Sequence, residues 1–242
     1  MSEVALAPPK GLKSDSAGKL RRLRLFPGFT LTTKSGLARR LHARRTEKAA
    51  QRLRQSSLAP LLNGQDPLAL PQDAADLLYL YDTVSSRKVE RAIEFGSGQS
   101  TLFISQALHD QGHGHLWSLD ANDLWLEHTK AMLPEHLRPF VTFVHSPVRI
   151  VQDYGVPAWR YTVVPDGKWD FVLMDGPEGT GQEPGGSDMT TNLIEMADSL
   201  NPGAAGFIDH RWMTAVLTKE NASDRLRLRF IPSLESWEFQ PR

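Results

Sequence analysis

The sequence predicts an α/β fold with a mostly parallel sheet, helices on both of its faces and an antiparallel hairpin at its carboxyl end. From Val89 onward, short runs rich in β-branched and aromatic residues alternate with helical segments, a pattern typical of βαβ units. The last two runs, 225–231 and 236–240, are separated only by a short turn. Such a short connection can join two strands only in the antiparallel direction.

Each element follows from its local pattern. The strands that precede the hairpin are predicted at residues 91–95, 116–119, 141–145, 171–174 and 205–208. The helices between them are predicted at residues 100–109, 123–133 and 188–200, with another that begins near Trp212. Two earlier helices are predicted from Ser35, a candidate N-cap, to about Gln55, and from about Pro71 to Val84.

Composition narrows the classes of protein that the chain can belong to. Its 242 residues are 40% hydrophobic, enough for one α/β domain with an extension. The chain has no cysteine, which excludes disulfides, iron–sulfur clusters and cysteine nucleophiles. No apolar run approaches the ~18 residues of a membrane span, and the N-terminus lacks the apolar centre of a secretory signal. These absences predict a cytoplasmic protein.

The charge is divided unevenly along the chain. Residues 1–54 contain 14 Lys and Arg against 3 acidic residues, whereas residues 55–242 contain 14 against 25. The favoured interpretation is a basic arm that docks on its own acidic domain. The alternative is an arm that meets an anionic surface, such as lipid, nucleic acid or a partner chain. The helix predicted at 35–55 is a candidate contact for a homodimer.

A glycine turn joins the first predicted strand to the first helix of the alternating region. Gly96-Ser97-Gly98 lies at this junction, where bare backbone can approach a ligand at the helix N-terminus. A tight packing turn would have the same sequence. Asp120 ends the next strand, where a carboxylate can accept hydrogen bonds from both hydroxyls of a ribose. The glycine fingerprint of nicotinamide-binding proteins needs Gly or Ala where this chain has Thr101. A short-chain dehydrogenase also needs a lysine four residues after a tyrosine, and no tyrosine here has one. Both observations disfavour a nicotinamide oxidoreductase.

The run from Glu94 to Thr101 resembles motif I of class I S-adenosylmethionine-dependent methyltransferases. Asp120 matches the acidic residue after their second strand, and residues 169–177 resemble their fourth-strand motif. The resemblance covers about residues 70–242 and implies a Rossmann-like, seven-stranded sheet. It divides the chain into a basic, partly disordered and then helical extension, 1–57, and an S-adenosylmethionine-binding domain, 58–242.

The resemblance also implies roles for individual residues. Gly96 and Gly98 would let the backbone approach the methionine moiety, and Glu94 would reach its amino group. Asp120 would bind the ribose, and Ser146 would lie near the adenine. The implied cofactor-binding set is completed by Ser97, Ser100, Thr101 and Asp175.

The resemblance implies that the methyl acceptor lies beyond the carboxyl ends of the fourth and fifth predicted strands. These strands end at Asp175 and at Asp209-His210. Their spacing resembles that of the metal-dependent catechol-type methyltransferases, with His210 in place of an asparagine. One interpretation is a site for Mg²⁺, Mn²⁺ or Zn²⁺ formed by these three residues. A second makes His210 a metal-free general base oriented by an aspartate such as Asp175. In the third, all three are polar residues that terminate strands.

The function predicted by this reasoning is O-methylation of a small molecule by positioned SN2 transfer. Methyltransferases that modify amino groups of nucleic acids would have an Asn/Asp-Pro-Pro-aromatic pattern after the fourth strand, where this chain has Asp175-Gly176-Pro177. Nucleic acid is therefore a disfavoured acceptor. The alternative is a non-catalytic S-adenosylmethionine-binding or scaffold protein of the same fold. The glycine-rich segment at 178–186 is either an ordinary loop or one that closes over the acceptor. The insertion at 150–168 adds a pocket wall, a strand or a subunit contact.

Overall fold

The computed structural model describes residues 36–62, 74–177 and 189–242. Its α-helices are α1 (Gly36–Arg54), α2 (Ala74–Ser85), α3 (Gln99–Gln111), α4 (Asp123–Met132), α5 (Asn192–Glu195) and α6 (Trp212–Ala222). Its strands are β1 (Arg91–Phe95), β2 (His115–Asp120), β3 (Val141–His145), β4 (Val148–Val151), β5 (Ala158–Tyr161), β6 (Trp169–Met174), β7 (Leu200–Ile208), β8 (Leu226–Ile231) and β9 (Ser236–Pro241). The predicted disordered part of the extension (1–35, with Ser35), residues 71–73 and the whole 178–186 loop lie outside the described residues. No described helix is long and apolar enough to cross a membrane.

The main sheet has seven strands in the order β3-β2-β1-β6-β7-β9-β8. The first five of these pair in parallel, and β9 lies antiparallel to both β7 and β8. The mostly parallel sheet with an antiparallel hairpin is therefore confirmed. The chain order reverses between β1 and β6, and the crevice at such a switch point is where doubly wound sheets bind ligands.

Helices cover both faces of the sheet, as predicted, because the strand residues alternate between two cores. Ala92 and Phe171 face a core that contains residues of α1, α2 and α3. Ile93 and Val172 face a second core, built with β5, α5 and α6. Strands buried on both faces are typical of parallel sheets.

The prediction of a helix at 188–200 is wrong over its described residues, 189–200. Only Asn192–Glu195 is α-helical; a short 3-10 turn follows, and β7 begins at Leu200. The preceding segment bonds to β5 instead: Trp159 N–H donates to the Met189 carbonyl at 2.8 Å and Thr191 N–H to the Trp159 carbonyl at 3.0 Å. Tertiary pairing with an inserted strand overrides the local helical pattern here.

The insertion between β3 and β6 contains the two-stranded antiparallel sheet formed by β4 and β5. It packs on the second core, where Ala158 and Tyr161 are buried. On the opposite face, α1 packs beside α2: Leu53 is fully buried, and the Arg52 guanidinium contacts the Asp82 carboxylate at 2.8 and 3.0 Å. The described part of the basic helix therefore packs on the main body of the protein.

Candidate cofactor and acceptor site

The five parallel strands end at the same edge of the sheet. There, the residue that follows one strand donates a hydrogen bond to a residue at the end of the neighbouring strand. Gly96 N–H donates to the Leu119 carbonyl and Ser146 N–H to the Asp120 carbonyl, both at 2.8 Å. Asp175 N–H donates to the Phe95 carbonyl at 2.8 Å, and Asp209 N–H to the Met174 carbonyl at 3.0 Å. This edge brings together most of the residues that the sequence selected.

The two glycines of the turn serve different needs. Gly96 has φ +103°, and a Cβ added there would lie 2.8 Å from backbone atoms of both Asp175 and Gly176. Only glycine allows the loops after β1 and β6 to touch in this way. Gly98 has an extended φ, and an added Cβ would make only an ordinary contact with Trp125 at 3.9 Å. Packing therefore requires glycine at position 96, whereas at the buried position 98 a methyl group would make only an ordinary contact.

Glu94 stabilises the glycine turn through hydrogen bonds to the start of α3. Its carboxylate is fully buried and accepts hydrogen bonds from the hydroxyls of Ser100, at 2.9 Å, and Thr101. The Thr101 hydroxyl also accepts from Gly98 N–H at 3.0 Å. Burial raises the pKa of Glu94 to about 7, although these hydroxyl donors oppose the rise. A carboxyl group with this pKa is readily held in its charged form when a cation approaches.

Asp120 lies beside the turn at the end of β2. Its Oδ2 accepts from Ser97 N–H at 3.0 Å and from the Ser97 hydroxyl at 3.2 Å, and its Oδ1 accepts from Asn122 N–H at 2.8 Å. Burial raises the pKa of Asp120, while the backbone donors act in the opposite direction. The carboxylate thus joins the glycine turn to the loop after β2.

Ser146 is fully buried immediately after β3, and its hydroxyl accepts from Val163 N–H at 3.0 Å. This hydroxyl therefore holds the chain that follows β5.

Trp125 of α4 was not selected from the sequence. Its indole N–H donates to the Ser97 carbonyl at 2.6 Å, and its ring stacks on His128. Its position five residues after Asp120, in the first turn of a helix, was the available signal.

The structure groups Asp209 and His210 with Asp76 of α2, a residue that the sequence analysis did not select. His210 Nε2 lies 3.3 Å from Asp76 Oδ2 and 3.4 Å from Asp209 Oδ1. Asp76 and Asp209 are buried, whereas the His210 side chain is about half exposed. Asp175 is outside this group, and its carbonyl accepts from the Arg211 guanidinium at 2.6 Å. No local pattern identifies Asp76, because 134 residues separate it from His210.

The charge of His210 is set by these carboxylates. The hydrogen bond to Asp76 raises its pKa to about 9, with further increases from Asp209, Asp76 and Asp175, although burial opposes them. His210 is therefore a cation at neutral pH. In that state both ring nitrogens carry protons, so the imidazole cannot accept one from a substrate.

We expect the contribution of the ion pair between His210 and Asp76 to protein stability to depend on pH. The pKa of His210 is higher in the folded chain than its ordinary value of 6.5, so the folded state binds the proton more tightly. The contribution to the free energy of unfolding is complete below pH 6.5 and disappears as the pH rises through about 9. Urea unfolding midpoints of the wild type should fall across this window.

Asp76→Asn should flatten that pH dependence, because it removes the main cause of the raised pKa. His145→Gln, which removes a histidine from an exposed ion pair with Asp123, is the matched control and should keep the wild-type slope. An Asp76→Asn protein that loses stability with pH as steeply as the wild type would contradict this account.

The sheet and the residues at this edge together identify the fold. A doubly wound sheet has the glycine turn after β1, an acidic residue at the end of β2 and an antiparallel strand inserted beside β7. This is the Rossmann-like, seven-stranded fold that the sequence predicted.

Known proteins were compared with the chain. No protein-family model matches it, and no curated protein matches its sequence. Among solved structures it is similar to an S-adenosylhomocysteine-bound methyltransferase from Podospora anserina, with 12% identity over 98% of this chain and 100% of the other at a TM-score of 0.48. It is also similar to a methyltransferase from Geobacter sulfurreducens, with 14% identity over 82% and 89% at a TM-score of 0.49. The O-methyltransferase TomG from Streptomyces achromogenes has 15% identity over 88% and 92% at a TM-score of 0.46.

Proposed function

We propose that the protein is an S-adenosylmethionine-dependent methyltransferase that methylates a hydroxyl group of a small molecule. The observation that carries the proposal is the glycine turn at the switch point, where packing does not require glycine at position 98 and the Asp120 carboxylate accepts from Ser97 N–H at 3.0 Å. A ligand at this position needs a part that the bare backbone of the turn can approach closely and hydroxyl groups that donate hydrogen bonds to the Asp120 carboxylate. An adenosyl group with a methionine tail has both features.

The cofactor roles follow from the charges of this edge. Asp120 would bind the ribose hydroxyls, and Glu94, whose pKa is about 7, would be held in its charged form by the methionine ammonium. Ser97, Ser100 and Thr101 support these two carboxylates through their hydroxyls. Ser146 would lie at the adenine end.

The acceptor would lie beyond the ends of β6 and β7, close to Asp175 and His210. Transfer of a methyl group from a sulfonium is SN2 chemistry, in which positioning supplies much of the rate. His210 is a poor general base at neutral pH because its pKa is about 9. Its cationic ring can instead orient the acceptor oxygen.

A divalent metal ion is a second means of activating the hydroxyl. Asp76, Asp209 and His210 could hold such an ion: His210 Nε2 lies 3.3 Å from Asp76 Oδ2 and 3.4 Å from Asp209 Oδ1. Two ligands of a tetrahedral ion at ~2.1 Å are separated by ~3.4 Å. A bound ion lowers the pKa of a coordinated hydroxyl. The imidazole favours Zn²⁺ or Mn²⁺ over Mg²⁺. In this group Asp76 occupies the place that the sequence assigned to Asp175.

Calorimetric titration with S-adenosylhomocysteine tests the cofactor assignment, and transfer of a labelled methyl group to phenols and catechols, with and without EDTA, tests the chemistry. We expect binding in the micromolar range. Transfer at neutral pH that EDTA leaves unchanged would assign the orientation of the acceptor to the cationic ring of His210, whereas transfer that EDTA abolishes and Zn²⁺ or Mn²⁺ restores would assign activation to a metal ion. Transfer that is insensitive to EDTA and rises through pH 9 would instead support His210 as a metal-free base.

Two other results would change the assignment. Folded protein that binds no S-adenosylhomocysteine would refute the proposal as a whole. Tight binding without transfer to any acceptor would favour a non-catalytic binding or scaffold protein.

A further inference from the structure

Tyr161 ends β5 in the inserted two-stranded sheet, and its side chain belongs to the second core. It is 2% exposed, and its ring packs against Phe95 with the ring centroids 5.3 Å apart. Asn192 fixes its backbone: Tyr161 N–H donates to the Asn192 side-chain oxygen at 2.9 Å, and the Asn192 amide donates to the Tyr161 carbonyl at 3.1 Å. The direction in which the ring points is therefore set by the fold.

The ring reaches out of this core to the carboxyl edge of the sheet. A Cβ added at Gly176 would lie 2.1 Å from the Tyr161 hydroxyl and 2.8 Å from the Gly96 Cα. The hydroxyl therefore lies where the loops after β1 and β6 touch, at the switch point of the sheet. The strand β5 therefore delivers a polar group to this point.

The hydroxyl has no hydrogen-bond partner among the described residues. Leaving a buried hydroxyl without a partner costs free energy, so such groups are rare and need an explanation. Burial raises the pKa of Tyr161 well above its ordinary value, and Asp120, Asp175 and Glu94 add to the rise, although Arg211 opposes it. The group is a neutral hydroxyl with a proton to donate.

We propose that Tyr161 is a cofactor-contacting residue whose hydroxyl forms a hydrogen bond with the bound S-adenosyl ligand. The assignment rests on the proposed function. It explains why a tyrosine rather than a phenylalanine occupies an otherwise apolar position. It also gives the insertion a role, because β5 carries the side chain from the second core to the cofactor.

Tyr161→Phe removes only the hydroxyl and should change two measurements in opposite directions. The Kd for S-adenosylhomocysteine should rise about tenfold, the effect of losing one hydrogen bond to the ligand. The melting temperature of the ligand-free protein should rise by about 2–4 °C, because an unsatisfied buried group has been removed. A merely structural hydroxyl would lower the melting temperature when deleted and leave the Kd unchanged.

Tyr154→Phe is the matched control, since Tyr154 lies in the same insertion between β4 and β5 and is only partly buried. It should leave both measurements at their wild-type values. Wild-type protein that binds the ligand while Tyr161→Phe binds it equally well would overturn this inference alone. No binding by the wild type would overturn the proposed function and this inference together. A fall in the melting temperature of ligand-free Tyr161→Phe would overturn the inference by revealing a partner within the protein.

Discussion

Asp120→Ala is expected to weaken binding of S-adenosylhomocysteine by about 100-fold or more, because two hydrogen bonds to one charged group are lost. The partly buried position of Asp120 strengthens each of these bonds relative to one in water. The same substitution frees the Ser97 N–H and hydroxyl, which donate to this carboxylate at 3.0 and 3.2 Å. The glycine turn would then be less well ordered for the ligand. Calorimetric titration of both proteins measures the effect.

Asp123→Ala is the control for Asp120→Ala. Asp123 lies three residues further along the chain, and its mostly exposed side chain pairs with His145. Its removal should leave the Kd within about twofold of the wild type, since exposed ion pairs contribute little. Equal affinities for Asp120→Ala and the wild type would show that the ribose does not lie against this carboxylate.

Gly96→Ala is expected to destabilise the protein strongly. At φ +103° an alanine costs roughly 1–3 kcal/mol in backbone strain. The overlap of its Cβ with backbone atoms 2.8 Å away costs roughly another 1–3 kcal/mol. The melting temperature should therefore fall by about 5–20 °C. Backbone atoms of Asp175 and Gly176 meet the methyl group, so no side-chain rotation can relieve the overlap.

Gly98→Ala, two residues away, should behave in the opposite way. The new methyl group meets only Trp125, at 3.9 Å, so the melting temperature should change by no more than about 3 °C. The affinity for S-adenosylhomocysteine should nevertheless fall at least about tenfold, because the methyl group fills the space beside the turn. Thermal unfolding with and without ligand measures both effects. Unchanged affinity in a stable Gly98→Ala protein would mean that the ligand does not approach the turn there.

Much of the fold could be predicted because its signals are local. The glycine turn follows β1 within three residues, and Asp120 ends β2 as expected. The hairpin of β8 and β9 could be predicted from its short connection, which excludes parallel pairing. The predicted helix at 188–200 was wrong because β5, an inserted strand, offers the segment near Thr191 a backbone partner.

By itself, the sequence determined the order of strands and helices, the glycine turn and the carboxylate after β2. Periodicity and turn residues act over a few positions, and parallel strands bring their carboxyl ends to one edge. Only the tertiary structure decided that Asp76 pairs with His210 and that the Tyr161 hydroxyl reaches Gly176. Both contacts depend on how α2 and the insertion pack on opposite faces of the sheet. A helix or strand pattern specifies which face is apolar, and packing alone sets where one polar group on that element points.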